Sequence, residues 1–200
     1  MNVLDKYKEW QVDLIKREVE KNTFPYAVLM ENWGSDFNLS TLVRNANAFG
    51  AKEVFYLKDK KRWDKRGAVG TYHYTNVQHL SSYDQIEELK KRYKLVAVEN
   101  GLWRSQALAS YEWEPNTLLV FGEEGNGVTP RLMDMCEDVV YIPQYGSVRS
   151  LNVGTASGII MNDYVSKTIY KARLNDGRST ERGNRRPQAK TATQVSSARY

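Results

Sequence analysis

Five short apolar runs set the limits on what this chain can become: Phe24–Met30, Lys52–Leu57, Leu95–Val98, Leu118–Phe121 and Val139–Ile142. Each falls far below the roughly 20 apolar residues that a membrane span takes. Each is also rich in the β-branched and aromatic residues that favour strands. Between them lie stretches with apolar residues at helical spacing: Leu39, Leu42, Val43, Ala46 and Phe49, then Ile86 and Leu89, then Thr129–Cys136, and finally Leu151–Tyr170. Apolar strands alternating with helices predict an α/β domain, a largely parallel sheet with helices on both faces. Val3, Leu4, Tyr7, Trp10 and Leu14 predict one amphipathic helix over residues 3–20. Gly50 marks a helix end, Pro130 a first turn, and Ser150 is the expected cap of the last helix. The charged stretch Lys58–Arg66 reads as an exposed loop, and Thr71–Gln78 as a strand.

Composition narrows the function. One cysteine, Cys136, cannot form an internal disulfide, and with only His73 and His79 no zinc cluster can be assembled. The N-terminal residues mix acids and bases, unlike a secretory or transit leader. The expectation is a metal-independent, cytoplasmic protein with no membrane partner. The net charge of +5 is uneven. Residues 173–200 carry seven bases against two acids, a net +5, so the rest of the chain is neutral overall. Residues 1–172 are therefore expected to form the domain, and 173–200 a basic, disordered tail. Such a tail suits a polyanion such as nucleic acid, or serves only solubility.

In parallel sheets, ligands bind beyond the carboxyl ends of the strands. Three polar segments fall there: Asn38–Asn47, Gly122–Gly127 and Gln144–Asn152. The middle one, GEEGNG, is a tight turn or a binding loop; its paired carboxylates, Glu123 and Glu124, disfavour a phosphate and suit a cationic or hydroxyl-bearing ligand. Arg44 shares a helix face with Thr41, opposite the apolar one. It is either a solvated surface arginine or a group within reach of an RNA phosphate. Cys136 reads as a small buried hydrophobe, and Trp103 and Trp113 as packing residues.

Taken together, NLSTLVRNANAFGA (38–51), LVFGEEGNGVTPRLMDMCE (119–137) and YIPQYGSVRSLNVGTASGII (141–160) resemble, in order and spacing, the three motifs of the SpoU, or TrmH-type, RNA 2'-O-methyltransferases of the SPOUT class. The resemblance covers residues 22–170 and implies a C-terminal deep trefoil knot, a rare exception to unknotted folding. It implies S-adenosylmethionine as cofactor, contacted by Glu99, Gly122, Ile142 and Leu151, and a homodimer whose interface includes the helix bearing Gly154 and Gly158. Arg44 matches the family's catalytic arginine, proposed there to act as base when RNA phosphate reorganises it. Asn38, Glu124, Ser150 and Asn152 match the other polar site residues. The implied reaction is 2'-O-methylation of a structured RNA. A tRNA, at guanosine 18, is expected because only about 22 residues precede the first strand, whereas many ribosomal members carry an extra N-terminal domain. The alternatives are ribosomal RNA as substrate, or a non-catalytic RNA-binding module.

Overall fold

The computed structural model describes residues 3–34 and 36–175. Seven strands form one sheet: β1 (Phe24–Glu31), β2 (Ala51–Leu57), β3 (Val77–Leu80), β4 (Lys94–Val98), β5 (Ser105–Ala107), β6 (Thr117–Phe121) and β7 (Asp138–Tyr141). Their spatial order is β3-β2-β1-β6-β4-β7-β5, and every pairing is parallel. The helices are α1 (Val12–Glu20), α2 (Asp36–Ala48), α3 (Asp84–Lys90), α4 (Pro130–Met135) and α5 (Val153–Val165). A π-helical turn, Ser166–Tyr170, then leads into α6 (Lys171–Asn175).

The side-chain alternation of the strands explains the two layers. In β1, Tyr26, Val28 and Met30 join the core under α2 and α5, with Leu39, Leu42, Val43, Ile160, Met161 and Tyr164. Ala27 and Leu29 point the other way, into a second core with Ile86 and Leu89 of α3 and Leu132 and Met135 of α4. Cys136 belongs to that second core, and burial pushes its thiol up to about 12. Each fully buried aliphatic side chain contributes about 1.5–3 kcal/mol, so a central strand with both faces covered anchors the whole sheet. Glu31, at the end of β1, is wholly buried but accepts from Tyr83 Oη (2.7 Å), the Thr129 amide (2.8 Å) and Thr129 Oγ1 (2.7 Å). Those bonds meet the cost of burying a carboxylate and pin the start of α4.

Several sequence expectations need correction. Residues 3–20 are not one helix: a 3-10 turn at Asp5–Tyr7 is separated from α1 by an extended Gln11, letting Tyr7 and Ile15 both pack on Tyr74. Thr71–Gln78 is a strand only from Val77. Before it, the Thr71 and Thr75 hydroxyls bond the carbonyls of Ala68 and Thr71, turning the chain locally instead. The last helix begins at Val153 rather than Leu151, and its cap is Asn152, whose side chain accepts from the Thr155 amide at 3.1 Å. Ser150 is exposed and caps nothing. Trp113 packs as expected and donates to Asp163 at 2.7 Å, but Trp103 is 96% exposed. Gly154 and Gly158 do mark a close helix contact, but within the chain: a Cβ on Gly154 would meet Thr41, and one on Gly158 would meet Asn45. Helical structure runs three residues into the expected tail, to Asn175; residues 176–200 lie outside the described residues.

Candidate functional site

A cleft of about 280 Å³ opens at the carboxyl ends of β4, β6 and β7. All three strands are central and covered on both sides, so the segments leaving them start from fixed points. Residues Glu99 after β4, Gly122–Gly127 after β6, and Ile142 and Gln144 after β7 line it, with Ser150 and Leu151 closing it ahead of α5.

The Gly122–Gly127 loop is a tight turn, one of the two alternatives its sequence left open, and it also walls the cleft. Glu123 and Gly127 exchange two backbone hydrogen bonds, of 3.2 and 3.0 Å. Gly122 is required by close approach: a Cβ there would lie 1.9 Å from the Gly127 carbonyl carbon. Gly127 adopts a φ of +67°, and a Cβ on it would strike Glu99 Oε2 at 2.2 Å. Glu99 in turn accepts from the amides of Val128 (3.0 Å) and Asn100 (3.0 Å). Its carboxylate thus braces the loop from below, a task that its place in the sequence did not reveal.

At the rim, three side chains from distant segments form a closed polar triangle. Asn38 Nδ2 donates to Glu124 at 2.9 Å, and Asn152 Nδ2 donates both to Asn38 Oδ1 (2.9 Å) and to Glu124 (3.1 Å). The hydrogen bond from Asn38, then that from Asn152, hold the Glu124 carboxyl below the usual carboxylate range. With its Oδ1 on Thr155, Asn152 ties this triangle to the first turn of α5.

Six of the nine candidate residues therefore line the cleft: Glu99, Gly122, Glu124, Ile142, Ser150 and Leu151. Asn38 and Asn152 join them through Glu124. Arg44 stands apart. It is exposed, about 9 Å further along α2 than Asn38, and forms no hydrogen bond or ion pair among the described residues. Its helix is nonetheless fixed: the neighbouring Asn45 donates to the Gly154 carbonyl (2.9 Å) and to Ser157 Oγ (3.0 Å) of α5. Sequence reasoning missed Asn45; the paired glycines opposite it were the available signal. It also passed over Gln144, which lines the cleft with a buried Oε1 that has no partner among the described residues. No group of three or more His, Cys, Asp or Glu able to hold a metal occurs among the described residues, and none of the described helices is long and apolar enough to cross a membrane.

The model of the SpoU rRNA methylase family matches residues 25–162, every segment of the cleft included. The chain belongs to that family. Among SpoU relatives, it is 27% identical to a tRNA (guanosine(18)-2'-O)-methyltransferase of Aquifex aeolicus, over 76% of this chain and 74% of the relative. It is 23% identical to a 23S rRNA (guanosine-2'-O-)-methyltransferase of Blochmanniella floridana, over 77% of this chain and 62% of that one. The chain thus spans about three-fifths of the ribosomal relative's length. Two crystal structures share the fold. The A. aeolicus TrmH/SpoU tRNA modifying enzyme superimposes with a TM-score of 0.70 at 24% identity, covering 83% of this chain and 84% of that one. An AdoMet-bound rRNA methyltransferase from Sinorhizobium meliloti gives 0.64 at 21% identity, covering 75% and 60%.

Proposed function

We propose that this protein transfers a methyl group from S-adenosylmethionine to a ribose 2'-hydroxyl of a structured RNA, with guanosine 18 of tRNA as the target. The observation that carries this reading is the Asn38–Glu124–Asn152 triangle on the rim of the cleft, beside a helix whose Arg44 is left without a partner. The likeness to a tRNA (guanosine(18)-2'-O)-methyltransferase supports tRNA. Ribosomal RNA is the second reading, favoured by the rRNA-methylating relatives.

The cleft suits this cofactor chemically. Glu99, Glu123 and Glu124 give it a negative lining for a molecule with a sulfonium and an ammonium, and the buried Gln144 Oε1 offers an acceptor to an amino group. Glu99 braces the wall, while the Gly122 loop, Ile142 and Leu151 hold the cofactor. When bound, the sulfonium supplies an activated methyl group with a good leaving group already attached. The protein's remaining work is to align a ribose oxygen and stabilise its developing charge. Arginine stays protonated in proteins, so Arg44 acts on the 2'-oxygen as a positive hydrogen-bond donor, with Ser150 beside the cleft as a second donor, and the hydroxyl proton released in the transfer passes to solvent water. Glu124, kept ionised, holds Asn38 and Asn152 in fixed orientations toward the bound ribose.

Two further features belong to this reading. The reading includes a deep trefoil knot in the C-terminal segment, supported by the place of β7 between β4 and β5, which are consecutive in sequence. The protein acts as a homodimer in the cytoplasm, with exposed Trp10, Val12 and Leu14 near the N-terminus and Ile159, Tyr170 and Leu174 near the C-terminal helices available to a twofold mate. Labelled S-adenosylmethionine incubated with bulk tRNA or rRNA, followed by nucleoside and position mapping, tests the proposal. Methyl label in 2'-O-methylguanosine at position 18 of tRNA is expected. Label in rRNA alone favours the second reading, and label in neither overturns both.

A further inference from the structure

The stretch Lys58–Arg66 carries six bases against two acids, a net +4 in a body that is otherwise slightly acidic. Its sequence predicts a loose exposed loop; its structure is different. Trp63 is 7% exposed and plugs into the core beside Tyr56 and Tyr72. The backbone is fastened at three carbonyls: Lys58 O lies 2.7 Å from His79 Nε2, Lys61 O accepts from Tyr56 Oη at 2.6 Å, and Asp64 O accepts from Ser40 Oγ. The Asp64 amide donates to Asp36 at 2.9 Å, and Lys58 pairs with the same carboxylate. Gly67 is pressed so closely on Ser40 that a Cβ would lie 2.8 Å away. Held in this way, Lys60, Lys61, Arg62, Lys65 and Arg66 all face solvent. Lys60, Lys61 and Arg62 have no side-chain partner among the described residues. Arg66 lies over the ring of Phe37, itself 61% exposed in the first turn of α2.

Arg66 pairs with Asp64 at 2.6 Å and Lys65 lies over the rings of Trp63 and Tyr72, but a fold gains nothing in stability from holding Lys60, Lys61 and Arg62 beside them, since like charges repel one another. It gains a preordered polycation. We propose that Lys58–Arg66, with Phe37, is a rigid docking surface for the phosphate backbone of the RNA substrate, registered on the site through α2. The inference rests on the RNA-methylating reading above and assigns that RNA its contact surface. Asp36 and Ser40, which fasten the loop, stand two residues either side of Asn38 and on the same helix as Arg44. A strand bound along the loop is therefore placed relative to both residues, and Phe37 offers a ring on which a base can stack.

The test is the variant K60A/K61A/R62A, beside a control, K6A/K21A/K52A, that removes as much charge elsewhere. Binding of a transcribed tRNA is read by anisotropy over a salt series, together with KM and kcat for methyl transfer and calorimetric affinity for S-adenosylmethionine. Each lost phosphate contact lowers the slope of log affinity against log salt by about 0.7–0.9. The loop variant is expected to flatten that slope by about 2–3 and raise KM for RNA roughly tenfold or more. Its melting temperature and cofactor affinity stay at wild-type values, and the control changes little. An unchanged slope and KM in the loop variant would overturn the proposal. Equal weakening by the control would also overturn it, reducing the loop to part of a general field. If wild type methylates no RNA, the functional reading fails by itself, while anisotropy still reports whether the loop binds RNA.

Discussion

Glu124, on the rim of the cleft, and Arg44, further along α2, are treated in opposite ways by the fold. Glu124 is exposed, yet two asparagine amides from different segments fix it, and they in turn fix each other and the first turn of α5. Arg44 is exposed too, but no side chain or carbonyl among the described residues receives its donors, although Asn45 clamps the helix beneath it to α5. The first arrangement is finished before any ligand arrives; the second has a fixed base and a free end. Satisfying a guanidinium in advance would cost the substrate whatever energy is needed to break those bonds. Leaving it free lets the RNA supply the anion that orders it. On the proposed reading, the difference means that most of the site is preformed and that the part served by Arg44 is completed when the RNA binds.

The largest effect should come from breaking the preformed part at its wall. Gly122→Val drives a side chain into the Gly127 carbonyl, and overpacking of this kind costs about 1–3 kcal/mol or more. S-adenosylmethionine affinity should fall about a hundredfold or more, whereas Gly125→Ala, where the nearest foreign atom is 3.8 Å away, should stay within about twofold. Calorimetry on both variants checks this, and equal affinities would mean that the loop is not the wall.

A smaller loss is expected from Asn152→Ala, which removes a helix cap and two donors to the triangle. The cap alone stabilises by about 1 kcal/mol, which for a chain of this size is about 2–4 °C of melting temperature. Loss of a hydrogen bond to a charged group should slow turnover about tenfold or more. Ser150→Ala provides the contrast, with a melting temperature within about 1 °C of wild type because Ser150 caps nothing. A drop as large as that of Asn152→Ala would restore Ser150 as the cap.

The smallest effect concerns protons. Hydrogen bonds lower the folded-state pKa of Glu124, so its contribution is present above the unfolded value and lost only as pH falls through the folded one. Between pH 5 and 8 this carboxylate should stay charged. Asn38→Ala removes the larger cause and should move the titration upward, toward the ordinary range. NMR of the side-chain carboxyl carbon reads the shift directly, and no movement would mean that the triangle does not hold the charge.

How far the sequence foretold this depended on the range of the physics involved. The strands and α2 were legible because burial on both faces writes near-continuous apolar runs, as in Leu118–Phe121. The three polar segments were legible because each directly follows or opens such an element. What stayed hidden was set by contacts between distant segments. Nothing local says that Glu99 braces a loop nearly thirty residues on, that Asn152 displaces Ser150 as the cap, or that Trp63 turns a charged loop into a fixed surface. Thr71–Gln78 misled for the opposite reason: its alternation suits a strand, but threonine hydroxyls satisfied nearby carbonyls first.

The central claim is that Arg44 belongs to the chemistry and not to the preformed part. Arg44→Ala, assayed for methyl transfer to tRNA alongside calorimetry with S-adenosylmethionine and thermal melting, tests it most directly. The account predicts turnover reduced by about 10²–10⁴-fold with cofactor affinity and melting temperature unchanged. Turnover at the wild-type rate, or cofactor affinity lost in parallel with it, would contradict the account.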